Sequence, residues 1–425
     1  MTLLQVVKYL RDHTTYPNPH DEIMDLSTFK HWEATNLLPP GALCDVIKAT
    51  ESLTDGDRFA IPDKGYYIRR DWGDKKIYIL GDFHGSLHSM LDILLDMEKL
   101  GAFEERGTGR LKDDVAIVCL GDLLDRSPYT LECFYLMLRL CLENPQNCVL
   151  TAGNHETDQY LWDDQSGSFH EMQGEYENKC PDGTTLRQRI VNITEKLPSS
   201  LIAKTALGTV QFNHGSYESY TLGSKDFGRF VKFVAFEGER DKLPTRGDRE
   251  GNALQWGDVE TDALGTNEAI YGRPVSSSDD VERYLKDSGL RMLVRGHSDF
   301  ANLSLLYKKD TEPSNALQME GQIHIPMDPN RTYPYFGQKL KDPRPAERQT
   351  DKGGVFVRNG FDFTNEPQYD LFTLHQSLNM ESFDKHLVAG KDDNTELLSV
   401  TVASSPFSKP MPPTNMMSCY LLLEN

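Results

Sequence analysis

Five short apolar runs in this chain each end on a turn carrying an acid, an amide or a histidine. Ile77-Tyr78-Ile79-Leu80 leads into Gly81-Asp82-Phe83-His84-Gly85, and the run 115–120 leads into Gly121-Asp122, with Asp125-Arg126 three residues on. The run 148–152 leads into Gly153-Asn154-His155-Glu156; the run 209–213 ends at His214-Gly215, and the run 293–296 at His297. Short apolar runs rich in β-branched residues and bounded by turn formers read as buried strands. Glycine on both sides of Asp82 and His84 lets the backbone turn sharply. Two residues apart, these side chains point the same way from an extended segment. Core packing does not ask for such endings, since any turn former would serve. Carboxylate, amide and imidazole at several strand ends are the ingredients of a metal site.

Between these runs the periodicity changes. Leu87, Met90, Leu91, Leu94, Met97 and Leu100 recur at helical spacing, and residues 129–142 form a second, very apolar helical stretch that stops before Asn144-Pro145. Strand, helix, strand, helix, strand predicts a layered α/β fold with ligands at the strand C-termini.

The motifs Gly-Asp-x-His-Gly, Gly-Asp-x-x-Asp-Arg and Gly-Asn-His-Glu, followed by two isolated histidines, resemble the metal-dependent phosphoprotein phosphatases of the calcineurin-like metallophosphoesterase superfamily. The resemblance covers 75–297 well, including Leu254-Gln255-Trp256-Gly257-Asp258 and Gly272-Arg273, and 398–406 faintly. It implies a central β-sandwich flanked by helices. It also implies two divalent metal ions (Mn, Fe or Zn), with Asp82 and His84 on one, Asn154, His214 and His297 on the other, and Asp122 bridging. The implied reaction is hydrolysis of phosphomonoesters on proteins by a water shared between the metals. His155 would protonate the leaving group, Asp125 would orient His155, and Arg126 and Arg273 would clamp the phosphate. Glu156 and Arg295 are read as supporting residues, Arg295 as a structural ion-pair former.

Departures from the family pattern fall at Ser127, Ser216 and Ser404-Ser405-Pro406-Phe407, and none touches an expected ligand. They suit a divergent member, of bacterial or effector type. Phosphoserine and phosphothreonine are the favoured substrates, with phosphotyrosine or a diadenosine-tetraphosphate-type nucleotide as alternatives. A metal-dead scaffold sits badly with the retention of all six ligands.

Composition narrows the partners. A net charge of -20 repels nucleic-acid phosphates, so a nucleic-acid partner is not expected; the phosphoprotein substrate is what the resemblance implies. No run approaches the ~20 apolar residues of a membrane span, and no signal-type segment is seen. The seven cysteines form no C-x-x-C pair and read as reduced thiols, which points to the cytoplasm, or to a host cytosol for a secreted bacterial effector. Four segments are expected. Residues 1–70 are a helical extension packed on the core, with Leu3, Leu4, Val6, Val7 and Leu10 in a helical pattern and an edge strand near Tyr67. Residues 71–300 form the catalytic core, 301–395 a partly structured insertion near the site's rim, and 396–425 the strands completing the core.

Overall fold

A computed structural model describes residues 1–13, 38, 40–51, 67–104, 108–124, 129–156, 180–217, 227–237, 253–259, 275–276, 278–297, 303–307, 346–347, 355–358, 372–379, 397–402, 404 and 417–424. The chain opens with helices α1 (Leu3–His13) and α2 (Pro40–Glu51), then strands β1 (Tyr67–Gly73) and β2 (Lys76–Leu80). Helix α3 (Leu87–Lys99), β3 (Val115–Cys119), α4 (Thr130–Glu143) and β4 (Cys148–Leu150) follow. Next come α5 (Leu186–Thr194), β5 (Ser200–Thr205), β6 (Gly208–Asn213), α6 (Phe227–Val234), α7 (Ala253–Trp256), β7 (Asp258–Val259) and β8 (Val275–Ser276). Helix α8 (Ser278–Ser288), β9 (Met292–Arg295), β10 (Leu303–Tyr307), β11 (Ala346–Glu347), β12 (Val355–Arg358), β13 (Phe372–Asn379), β14 (Leu397–Val402) and β15 (Met417–Glu424) complete it.

Strands β2, β3 and β4 pair in parallel, with α3 and α4 as their crossovers. Every residue of β3 is buried, as expected for a strand covered on both faces. Alternation decides which layer each side chain joins. Ile77, Ile79, Ala116 and Val118 face a core shared with Leu201, Val210, Phe212 and Val294 of the second sheet. Tyr78, Leu80, Ile117 and Cys119 face the opposite way, into a core shared with the helices. The smaller sheet has the order β13-β15-β2-β3-β4 and the larger the order β1-β5-β6-β9-β14-β10-β12-β11. A third core, containing Phe230, Phe233, Tyr284 and Leu285, covers the outer face of the larger sheet with α6 and α8. The expected β-sandwich flanked by helices is therefore the observed architecture.

The end of the chain returns to its first motif. Strand β15 pairs antiparallel with β2, Leu421 opposite Ile79, and β14 pairs in parallel with β9. Within 301–395, β10, β12 and β11 extend the larger sheet, and β13 pairs in parallel with β15 in the smaller one. Strand β1 forms the edge of the larger sheet.

At the N-terminus, Leu3, Leu4, Val6, Val7 and Leu10 are buried in the helical core, together with Leu43, Cys44 and Ile47 of α2. Lys8 and Arg11 of α1 pair with Glu98 (2.8 Å) and Asp92 (2.5 Å) of α3. Here the cysteine expectation is corrected, because Cys44 and Cys180 form a disulfide with a Cα–Cα separation of 5.9 Å. A pair 136 residues apart leaves no local signature. The docking of α2 beside the start of α5 brings the two together, which spacing does not reveal. Cys119, Cys133, Cys141 and Cys148 are free and buried, as expected of core thiols. The reduced-thiol premise behind a cytoplasmic location therefore fails at one pair. No described helix is long and apolar enough to cross a membrane.

Candidate metal centre

The five predicted turns meet where the two sheets' C-terminal strand ends face each other. The first two interlock through backbone: Phe83 and His84 donate to Asp122 O (2.9 and 2.8 Å), and Gly85 donates to Leu123 O (2.8 Å). Gly296 donates to His214 O at 3.0 Å, tying the last two together. Ser404 joins the group, its Oγ accepting from Gly81 N (2.8 Å) and its N–H donating to Asp82 O (3.2 Å).

Glu156 holds the second and third turns in one carboxylate. It accepts from Asp122 N (2.8 Å), Leu123 N (2.8 Å), Leu124 N (3.2 Å) and Gly153 N (2.8 Å). Glycine is demanded where the turns touch. A Cβ on Gly153 would stand 2.1 Å from Asp122 Oδ1, and one on Gly296 would stand 2.5 Å from Asp82 Oδ1. His84, Asp122 and His297 have φ of 47°, 51° and 62°; with Phe236 they are the non-glycine residues at positive φ among those described. Such backbone costs about 1–3 kcal/mol per residue and persists where surrounding contacts over-determine it.

Two groups of donors emerge, His84 with Asp122 and His155, and Asp122 with His214 and His297, all buried. In each group the candidate atoms lie within 4.8 Å of one another. Asp122 belongs to both: its Oδ2 stands 3.4 Å from His84 Nε2 and 3.1 Å from His214 Nε2. Asn154 Oδ1 (2.8 Å) and His297 Nδ1 (3.0 Å) also approach His214 Nε2. Asp82 Oδ1 lies 3.6 Å from His214 Nδ1 and accepts from His297 N at 3.2 Å. His155 meets His84 edge to face, with ring centroids 4.6 Å apart, and its N–H donates to Asp122 Oδ1 at 3.0 Å. The six expected ligands and His155 are thus gathered, whereas Asp125, Arg126 and Arg273 lie outside the described residues. Arg295, expected to form an ion pair, donates to backbone: Nε to Gly215 O (3.1 Å) and a terminal nitrogen to Gly257 O (3.0 Å).

The donor set fits a divalent cation. Lone-pair atoms about 3 Å apart repel one another, yet this is the spacing of neighbouring ligands held ~2.1 Å from one ion. Two imidazoles are already turned for the purpose, since His84 Nδ1 and His214 Nδ1 each meet a backbone carbonyl, of Leu124 and Leu120, at 3.1 Å. A carbonyl can only accept, so the proton sits on Nδ1 and the Nε2 lone pair faces inward. The carboxylates draw positive charge to the centre. Burial alone would raise the Asp122 carboxyl, but His214, His155 and His84 around it hold it well below the usual carboxylate range. Burial would depress His214, but Asp122 and Asp82 push it up to about 9. Burial, reinforced by the charge of Asp122, raises Glu156. The expectation of Glu156 as a supporting residue agrees with its four backbone contacts. The carbonyls of Leu120 and Leu124 were not foreseen, because backbone acceptors carry no side-chain signature.

A two-sheet scaffold with acid, amide and imidazole gathered at its strand ends defines a metallophosphoesterase-type centre. Residues 75–299, more than half of the chain, match the calcineurin-like phosphoesterase family, and the chain belongs to it. It is 34% identical over 83 residues to serine/threonine-protein phosphatase PP1-1 of Saccharomyces cerevisiae, covering 20% of this chain and 23% of that protein. It is 40% identical over 86 residues to the serine/threonine-protein phosphatase 4 catalytic subunit of Candida glabrata, covering 20% and 24%. A probable serine/threonine-protein phosphatase of Encephalitozoon cuniculi is 26% identical over 306 residues, covering 70% and 56%. The matched stretch thus spans about a quarter of the first two relatives and just over half of the third. Among solved structures, a protein serine/threonine phosphatase from Saccharomyces cerevisiae with similarity to human phosphatase PP5 superposes with a TM-score of 0.43. That pair is 21% identical, covering 63% of this chain and 73% of the other.

Proposed function

We propose that this chain is a metal-dependent protein phosphatase that hydrolyses phosphomonoesters on proteins, phosphoserine and phosphothreonine foremost. The observation that carries the reading is Asp122, whose Oδ2 lies between imidazoles of both donor groups, 3.4 Å from His84 Nε2 and 3.1 Å from His214 Nε2. A carboxylate so placed would hold two ions at once. Asp82 and His84 complete one set; Asn154, His214 and His297 complete the other. The mixed oxygen and nitrogen donors suit Mn, Fe or Zn. Two such ions, when bound, acidify water and neutralise the phosphoryl oxygens.

The chain's own residues supply the rest. His155 holds a proton for the departing alkoxide, and its position is fixed by its backbone bond to Asp122 and its edge contact with His84. Asp125, three residues after Asp122, is assigned to orient His155, and Arg126 and Arg273 to grip the phosphoryl oxygens in pairs. Glu156 keeps Asp122 and Asn154 in register by holding both of their turns. The names of the curated relatives favour serine and threonine over tyrosine.

The test is phosphate release from matched phosphoserine, phosphothreonine and phosphotyrosine peptides and from diadenosine tetraphosphate, with Mn²⁺ and with EDTA. The reading expects EDTA-sensitive release from the phosphoserine and phosphothreonine peptides. Release from phosphotyrosine or from the dinucleotide alone would reassign the substrate, and no release from any of them would remove the activity.

A further inference from the structure

The three histidines expected as ligands do not present the same ring nitrogen to the centre. His84 and His214 present Nε2 inward and give Nδ1 to the carbonyls of Leu124 and Leu120. His297 is reversed. Its Nδ1 is inward, 3.0 Å from His214 Nε2, and its Nε2 points outward at Asp258 Oδ1, 3.6 Å away. Asp258 is 1% exposed and His297 6%. An imidazole useful as a ligand must keep its inner nitrogen free of a proton, so its outer nitrogen must carry one. An ionised carboxylate only accepts, and facing Nε2 it selects that tautomer. At 3.6 Å the contact is an ion-pair distance, about half an ångström longer than a hydrogen bond.

The start of β7, which bears Asp258, is fixed by the strand that leads to His297. Arg295, two residues before His297 and fully buried, donates to Gly257 O beside Asp258 and to Gly215 O beside His214. Gly257 N closes α7 by donating to Ala253 O at 3.0 Å, and Trp256 sets its ring edge to face against His297, with centroids 6.1 Å apart. One guanidinium thus ties the His214 turn and the start of β7 to one another.

We propose that Asp258 is a positioning residue for this centre. It holds His297 with its proton on Nε2 and its Nδ1 lone pair directed at the cation shared with His214 and Asn154. The inference rests on the metal-dependent reading above and adds a residue to it. Groups that fix a ligating histidine from behind typically set metal affinity by 10–100-fold.

The experiment uses the full chain, as wild type, Asp258→Asn and Asp258→Ala. Imidazole nitrogen NMR at pH 8 after EDTA treatment reads the His297 tautomer, and calorimetric titration with Mn²⁺ alone reads affinity. The expected result is the Nε2–H tautomer in the wild type and a mixture in Asp258→Ala. Mn²⁺ affinity should fall roughly 10–100-fold in Asp258→Ala. Asp258→Asn should retain most of both, because its amide oxygen accepts the same N–H. An Nδ1–H tautomer in the wild type would overturn the proposal, as would an Asp258→Ala protein with wild-type tautomer and affinity. Should Asp258→Ala not fold, the wild-type tautomer and the Asp258→Asn titration still decide. A wild type that binds no Mn²⁺ would instead remove the phosphatase reading, while the tautomer would still decide the role of Asp258.

Discussion

His155 follows Asn154 directly, yet the two do different work. Asn154 Oδ1 turns to His214 Nε2 at 2.8 Å, whereas the His155 ring stands edge-on to His84. A proton donor matters most when the leaving group is a poor one. His155→Asn is therefore expected to keep its metal and to lose roughly 100- to 10000-fold in kcat on a phosphoserine peptide. On p-nitrophenyl phosphate, whose leaving group departs without a proton, the loss should be about tenfold or less. Steady-state kinetics on the two substrates checks this, and an equal loss on both would assign His155 to the ligand set. The residues of the centre were legible because each sits in a motif at a strand end. Their supports were not: the carbonyls of Leu120 and Leu124 look like those of any leucine, and Asp258 meets His297, 39 positions further on, only once the intervening chain has folded.

At the scale of elements, α1 was readable from five apolar residues on one face, and all five are buried. What its pattern did not reveal is the electrostatic cost of docking it. Asp92 of α3 is largely buried beneath it, and desolvation outweighs Arg11, raising its pKa from 3.8 to about 6. A carboxyl with a raised folded-state value binds its proton more tightly in the fold than in the unfolded chain. Stability from this group is thus greatest below pH 4, falls as pH climbs from about 4 to 6, and stays reduced above. The loss is on the order of 3 kcal/mol. Asp92→Asn removes it and keeps an acceptor for Arg11. The melting temperature of Asp92→Asn relative to wild type should rise between pH 4 and pH 7.5; a constant difference would mean that Arg11 fully compensates the burial. Helices α3 and α4 and the strands between them were equally legible, because their periods are local.

Across the whole molecule, pairing over long distance decides what local pattern cannot. Residues 301–395 were expected to be a partly structured insertion, but no local pattern said that β12 joins the larger sheet and β13 the smaller. The same holds for the Cys44–Cys180 bridge, which ties the N-terminal helices to the chain just before α5. The centre itself belongs to this scale, since its candidate donors come from turns between Asp82 and His297 and both sheets must assemble before Asp122 can join two groups. A calorimetric titration of Mn²⁺ into wild type and Asp122→Asn tests that claim most directly. The account predicts two ions per wild-type chain and loss of both in the variant, with the fold intact by circular dichroism. Two ions retained by Asp122→Asn, or one ion in the wild type, would contradict it.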